Sequence, residues 1–376
     1  MVEWKEIGEI AKRNKGIPIT AGQMSELEAP DGNIRVFAAG QTVANINESE
    51  LPSNCAYKEP SIIVKSRGYV DFVFYDKPFT HKNEMWSYSF VNKQFGKYVY
   101  YFLTTKTEFF RKKAEANSVK LPQLCVADTD KFLIPIPSQS EQNKIVDILD
   151  TFTSSIENLK EQIAQRRKQY EHYRDQLLDL EGKEGVEMKT LGEIAKYRRG
   201  SFPQPYGNRE WYDGEGAMPF VQVADVEEYG RKLKERTKQY ISTLAMPKSV
   251  YAPKGTVIVT LQGSIGKVAI TQYDSYIDRT LGIFEGYRIE IDKIYFALQL
   301  EKIFSIKKEK ARGGTIKTIT KEEFTNFLIP VPSLVRQNLI VDILDKFESC
   351  IQNLEAQLKE REKQYEYYRN KLLTFE

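Results

Sequence analysis

The chain has 376 residues, 41% of them hydrophobic and 28% charged, with a formal net charge of +3. That length points to two domains, and the composition is that of a soluble globular protein, which excludes predominant disorder. The longest apolar runs, such as TVIVTL, fall far short of about 18 residues, and the N-terminal MVEWKEIGEIAKRNKG mixes acids with bases, so neither a membrane span nor a secretory signal is expected.

In chain order, the opening WKEIGEIAKRNKG (4–16) leads into a divergent segment, 17–60. Alternating β-like runs follow at Ser61 to Val64 and Tyr69 to Tyr75, separated by a turn that needs glycine at Gly68. Gly96 to Lys113 is helical, with Tyr98, Tyr101, Phe102, Thr105 and Phe109 on one face as core. After FLIPIPS (132–138), Ser138 and Glu141 form a capping box for a long helix. Its apolar seam runs Ile145, Leu149, Phe152, Ile156, Leu159, Ile163, Arg166, Tyr170, Tyr173, Leu177 and Leu180.

The same order then recurs. MKTLGEIAKYRRG (188–200) repeats the opening, 201–255 is the second divergent segment, and Thr256 to Leu261 and Lys267 to Thr271 are β-like around Gly263. Asp292 to Lys310 is helical, ARGGTIK (311–317) is a glycine-rich loop, and FLIPVPS (327–333) opens a second long helix. The second seam runs Ile340, Leu344, Phe347, Ile351, Leu354, Leu358, Arg361, Tyr365, Tyr368, Leu372 and Phe375. Between 132–178 and 327–373, roughly 29 of 47 positions are identical at a constant offset of 195. The same offset sets Tyr295, Leu298 and Phe304 on Tyr100, Leu103 and Phe109. The opening segments repeat at 184, so the second copy is longer in between, and the stretches least alike are 17–60 and 201–255. Divergence confined to one segment, beside near-identical helices, points to one scaffold presenting two different surfaces.

A period of 3.5 over five heptads predicts a left-handed coiled coil of two helices of about 40 residues, each about 60 Å long. Arg166 and Arg361 interrupt the seam. The first helix leaves domain 1 for domain 2, and the second must return, so the helices are expected to be antiparallel. The fold class is therefore α+β: two globular domains related by a pseudo-two-fold and separated by two long antiparallel coiled-coil helices. The expected boundaries are 1–138, 139–182 (helix), 183–333 and 334–376 (helix).

Charge is uneven. Residues 139–181 hold six basic and nine acidic side chains, and 334–376 hold seven and eight, which leaves +7 on the globular parts. That is a mild footprint for a polyanion. Basic side chains gather in the divergent segments and their edges, including RKLKERTK (231–238). The candidate DNA contacts are Lys65, Arg67, Lys77 and Lys82 in copy 1, and Arg199, Arg209, Gln262, Ser264, Lys267 and Arg279 in copy 2. Arginine, glutamine and serine on the two turns have the chemistry to reach base edges, although a run of charge is commonly a solvated face.

Catalytic chemistry is not legible. Cys55, Cys125 and Cys350 form no ligand spacing or disulfide framework, and His81 and His172 leave little for a zinc site or a triad. A reducing, cytoplasmic setting fits them. LQGSIGKV departs from a phosphate loop, and neither a Rossmann fingerprint nor the Asn/Asp-Pro-Pro-aromatic run of an amino-methyltransferase is present. No catalytic or metal-binding residue is expected.

GEIA near each domain start, the RxG or QGSIGKV turn, GGTIK, and FLIPIPSQSEQNKIVDILD (132–150) with FLIPVPSLVRQNLIVDILD (327–345) together resemble the specificity subunit of type I restriction–modification enzymes, over essentially the whole chain. Copy 2 departs from the pattern at Arg336, and copy 1 at NSVK (117–120) and Asp71. The resemblance implies that each globular part is a target recognition domain reading one half of a bipartite double-stranded DNA sequence. It implies that the helices set the gap between half-sites. It also implies two methyltransferase subunits docked on the scaffold, where Tyr170, Tyr173, Tyr365 and Tyr368 are the candidate contacts, and motor-nuclease subunits in the full complex. S-adenosylmethionine, ATP and magnesium would then belong to those partners and no cofactor to this chain. Two rivals are a coiled-coil adaptor that binds only protein, and a nuclease using acids such as Asp213, Asp225 and Asp278.

Overall fold

The computed structural model describes residues 2–118, 120–228, 230–310 and 324–375; the ARGGTIK loop lies outside them. The chain divides into two compact units, one formed by Met1–Glu161 with Ala356–Glu376 and the other by Gln162–Glu355. Each unit therefore takes part of both long helices.

In the first unit, Glu3–Glu6 pairs antiparallel with Leu133–Ile136. A four-stranded antiparallel sheet runs in the order Lys12–Lys15, Trp86–Ser89, Ser61–Lys65, Asp71–Tyr75. Its centre is SIIVK, a β-branched run buried along its whole length, as expected of a strand covered on both faces. The divergent segment folds into a smaller sheet. There Ile34–Phe37 pairs antiparallel with Val43–Ile46 and parallel with Phe79–His81.

The second unit repeats this topology. Glu187–Thr190 pairs with Leu328–Val331, and the larger sheet runs Lys196–Arg199, Leu281–Glu285, Val257–Thr260, Val268–Ile270. In its smaller sheet Met218–Val221 lies parallel to Ser275–Ile277, and part of the longer divergent segment adds an edge strand, Val250–Ala252. Equivalent hydrogen bonds lock both units. Tyr98 and Tyr295 donate their hydroxyls to the carbonyls of Pro135 and Pro330 at 2.8 and 2.7 Å. Gln142 and Gln337 donate to the carbonyls of Pro137 and Pro332, each at 2.8 Å.

Two expectations change here. The helix of the first unit is not continuous; it forms Lys93–Thr105 and Thr107–Asn117. The hydroxyls of Thr104, Thr105 and Thr107 bond back to the carbonyls three residues earlier, at 2.7, 2.7 and 3.1 Å, in competition with the helical ladder. The break resets the face, so Phe110 is fully buried while Phe109 is half exposed. The local match also slips. Tyr295 corresponds to Tyr98, not Tyr100, and Phe304 to Phe110: both rings are buried against the matching Phe132 and Phe327.

The long helices span Gln139–Leu178 and Leu334–Leu372. Ser138 approaches the Glu141 amide at only 3.4 Å, so the expected cap is weak. In the first unit Phe152 stacks on Tyr368 at 5.4 Å and Lys160 pairs with Glu362 at 3.2 Å. In the second, Arg167 pairs with Glu355 at 2.6 Å and Tyr173 stacks on Phe347 at 5.4 Å. In both units rising numbers on one helix meet falling numbers on the other, so the helices are antiparallel. Arg166 is not a seam residue. It is exposed and donates to Gln169 at 2.9 Å, whereas Arg361 lies over the Phe152 ring at 5.7 Å.

Candidate nucleic-acid interface

Three pieces of backbone converge at one end of each unit's two sheets. In the second unit they are the turn Leu261–Gly266, the turn Asp278–Leu281 and the end of strand Lys196–Arg199. Leu261 donates its amide to Thr280 O at 2.8 Å, and Gly200 donates to Leu281 O at 3.0 Å. The first unit places Ser66–Tyr69, Lys82–Met85 and the end of Lys12–Lys15 in the same way, with the Ser66 hydroxyl on Glu84 O.

The Asp278 and Lys82 turns share one backbone plan. Asp278 N donates to Val221 O at 3.0 Å and Leu281 N to Asp278 O at 3.0 Å; Lys82 N donates to Phe37 O at 2.9 Å and Met85 N to Lys82 O at 3.0 Å. Glycine makes the approach possible. A Cβ on Gly16 would lie 2.1 Å from Lys82 O, and one on Gly200 would lie 2.2 Å from Ile277 O. The hairpin turns are equally fixed. Gly68 (φ 75°) donates to Pro122 O at 2.9 Å. Beyond Gly263 (φ 68°), Gly266 N and Lys267 N both donate to Thr260, at 2.9 Å each.

On this end of the second unit, Arg199, Gln262, Ser264 and Arg279 are exposed. Lys267 is half-buried and paired with Glu228. The Arg279 guanidinium lies over the Tyr206 ring at 5.1 Å, and Tyr206 donates its hydroxyl to Asp278 at 2.5 Å. Burial and the Asp278 carboxylate push the Tyr206 phenol well above its ordinary pKa, so it stays a donor. In the first unit Arg67 is exposed, and Lys82 pairs with Glu84 at 3.1 Å.

Three expected contacts are placed elsewhere. Lys65 is buried with its ammonium on the Gly40 carbonyl, and burial holds its pKa below the ordinary lysine value. Lys77 is exposed but follows strand Asp71–Tyr75, whose other end carries the turn. Arg209 opens a 3-10 turn bonded to Ser242, toward the opposite end of strand Met218–Val221. In the run 231–238, Arg231 is buried and paired with Glu348 at 2.7 Å and Glu301 at 3.4 Å. Two of the acids of the nuclease alternative, Asp225 and Asp278, are separately engaged. Asp225 accepts from Gln222 N and Lys238 N at 2.8 Å each, and Asp278 holds Tyr206 and Thr280.

Sequence reasoning missed three exposed side chains here. Lys15 is the partner of Arg199 at the offset of 184 and was legible from the repeat. Asn83 occupies the turn position of Arg279. Tyr69, 61% exposed with Arg111 at 4.2 Å over its ring, flanks Arg67. Of the four candidate tyrosines on the long helices, Tyr170 is turned into the Arg231 network, donating to Glu348 at 2.6 Å, and Tyr365 packs against the first unit's core. Tyr173 and Tyr368 each leave an outer face open.

The family model described as the type I restriction modification DNA specificity domain matches the chain twice, at residues 1–166 and 183–363. The chain belongs to this family of type I restriction–modification specificity subunits. It is 32% identical to the specificity subunit of the EcoR124I/EcoR124II type I restriction enzyme of Escherichia coli, covering 100% of this chain and 94% of that protein. It is 26% identical to a putative type I restriction enzyme specificity subunit of Haemophilus influenzae, covering 100% and 96%. In fold it matches the crystal structure of the type I restriction–modification S subunit from M. genitalium, with a TM-score of 0.63 at 18% identity over 100% of this chain and 97% of that one.

Proposed function

We propose that each unit reads one half of a bipartite DNA target through the loop cluster just described, and that the long helices fix the gap between the halves. The observation that carries this reading is the duplicated cluster: one backbone plan, with the Lys82 and Asp278 turns pinned by matching hydrogen bonds, displays different side chains in the two units. A protein adaptor has no need of that difference, whereas a reader of an asymmetric sequence requires it. Phosphate contacts fall to Lys15, Lys82, Arg199 and Lys267, and base-edge contacts to the turn tips. Methyltransferase subunits dock along the helices, where Tyr173 and Tyr368 present their open faces, and motor-nuclease subunits complete the assembly. In this reading the chain is a non-catalytic, cytoplasmic subunit. S-adenosylmethionine, ATP and magnesium belong to its partners.

Genome-wide mapping of methylated adenine, with and without this gene, tests the proposal. The expected result is one two-part motif with a fixed gap that vanishes when the gene is removed. A methylation pattern indifferent to the gene would overturn it.

A further inference from the structure

We propose that Asn83 and Arg279 are a matched pair of base-reading residues, with adenine the base read through the first unit and guanine the base read through the second. The inference rests on the DNA-reading proposal and goes beyond it by assigning a residue and a base class to each half-site.

The two residues occupy the same place in the fold. Each directly follows the turn residue whose amide is bonded to the end of the parallel strand, Phe37 O for Lys82 and Val221 O for Asp278. Each is exposed, and each sits beside the hairpin turn, through Ser66 to Glu84 in one unit and Leu261 to Thr280 in the other. What differs is the tip chemistry. An asparagine amide matches the N6/N7 edge of adenine, and an arginine fork matches the O6/N7 edge of guanine, each by two hydrogen bonds. Arg279 is also held in advance of binding. Its guanidinium rests on Tyr206, Tyr206 is bonded to Asp278, and Asp278 is buried and bonded to the Thr280 amide at 3.0 Å. Tyr206 and Asp278 are therefore positioning residues for Arg279. A guanidinium ordered before contact loses less freedom on binding, which sharpens discrimination.

The test uses the specificity subunit assembled with its methyltransferase partners, and a DNA library randomised across both half-sites. For Arg279→Lys, which keeps the charge and loses the fork, the preference for guanine at one position in one half-site should fall roughly 5- to 150-fold. The other half-site should be unchanged. Asn83→Ala should relax one adenine position in the opposite half-site by a similar factor. Tyr206→Leu should blur the Arg279 position, and Tyr206→Phe, which keeps the ring under the guanidinium, should restore most of it.

Equal weakening on all sequences would make these residues phosphate contacts and overturn the assignment, as would indifference to both changes. Selection of a different base at the affected position by the wild-type complex would overturn the base classes. If the wild-type complex shows no sequence preference at all, it is the DNA-reading proposal itself that fails.

Discussion

Arg231 gives the sharpest test of how the second unit is held together. It is 7% exposed, and its guanidinium meets Glu348 at 2.7 Å, Glu301 at 3.4 Å and the Tyr170 hydroxyl at 3.3 Å. It thereby ties the divergent segment to both long helices and to helix Lys293–Lys310. Arg231→Ala strands two carboxylates. Breaking a buried pair costs about 3–5 kcal/mol. The side chains of Glu301 and Glu348 keep 30% and 19% exposure, so water offsets part of this and the lower end, about 3 kcal/mol, is expected. For a unit of this size that corresponds to a fall of roughly 6–12 °C in its melting transition, by calorimetry.

The loss should depend on pH with a definite sign. Burial already raises the Glu301 carboxyl above its ordinary value, with Arg231 opposing. A raised carboxyl binds more protons in the folded state, so its contribution to stability falls as pH rises from the ordinary glutamate value to the raised one. Without Arg231 the carboxyl rises further, and the deficit of the variant should shrink as pH is lowered from 7 toward about 4.5. In a background of Glu301→Gln and Glu348→Gln, Arg231→Met should cost far less, because no charge is stranded. A loss below about 1 kcal/mol for Arg231→Ala, flat with pH, would refute the reasoning.

Other outcomes follow from the same geometry. Gly16→Ala and Gly200→Ala force a Cβ into backbone carbonyls and should each cost at least about 1–3 kcal/mol in thermal melts, whereas Gly22→Ala, with its nearest neighbour at 3.9 Å, should be neutral or slightly stabilising. Arg167→Glu turns a half-exposed ion pair with Glu355 into a like-charge contact and should cost about 1 kcal/mol or less. Tyr368→Ala should weaken methyltransferase binding in titrations by more than its effect on folding; equal losses would make the tyrosine a seam filler only. Seven residues inserted into both helices, after Glu161 and after Glu355, preserve the 3.5-residue seam and add about 10.5 Å, or about three base pairs. Methylome sequencing should then show a longer gap, unchanged half-site bases and weakened activity, and an unchanged gap would show that the helices do not measure DNA.

What the sequence disclosed was whatever repeats or alternates locally. The 195-residue offset gave the duplication because two stretches of the chain can be compared directly, and the 3.5-residue period gave the helices and the Gly68 and Gly263 turns the hairpins because each of those signals lies within a few residues along the chain. The failures are tertiary. Lys65 follows a run buried on both faces, and only the neighbouring loop at Gly40 reveals that its ammonium is taken. Lys77 and Arg67 look alike in sequence but belong to opposite ends of one strand. Arg231 opens a basic run that alternates, so Arg231 and Leu233 face inward while Lys232 and Lys234 face water. The helical period that places Phe109 in the core fails at Lys106, where the hydroxyls of three threonines interrupt the helix. Asn83 carried no signal, since its equivalence to Arg279 is visible only in the backbone hydrogen bonds.

The likeness of the two helices raises a question that the ion pairs answer. Helices this alike could each pair with their own kind in another copy of the chain. The offset of 195 sets Lys160 on Glu355 and Arg167 on Glu362, so the charge alternates between copies at both places. Paired with each other, the helices join Lys160 to Glu362 and Arg167 to Glu355. Two first helices in the same register would set Lys160 against Arg167, and two second helices would set Glu355 against Glu362. Each such exchange turns an attraction of a few tenths of a kcal/mol into a repulsion of similar size. Over both places that is on the order of 1 kcal/mol, roughly a factor of five. It is small beside the effective concentration that a covalent tether provides. It acts in the same direction as the tether, however, because at both places the two helices carry opposite charge.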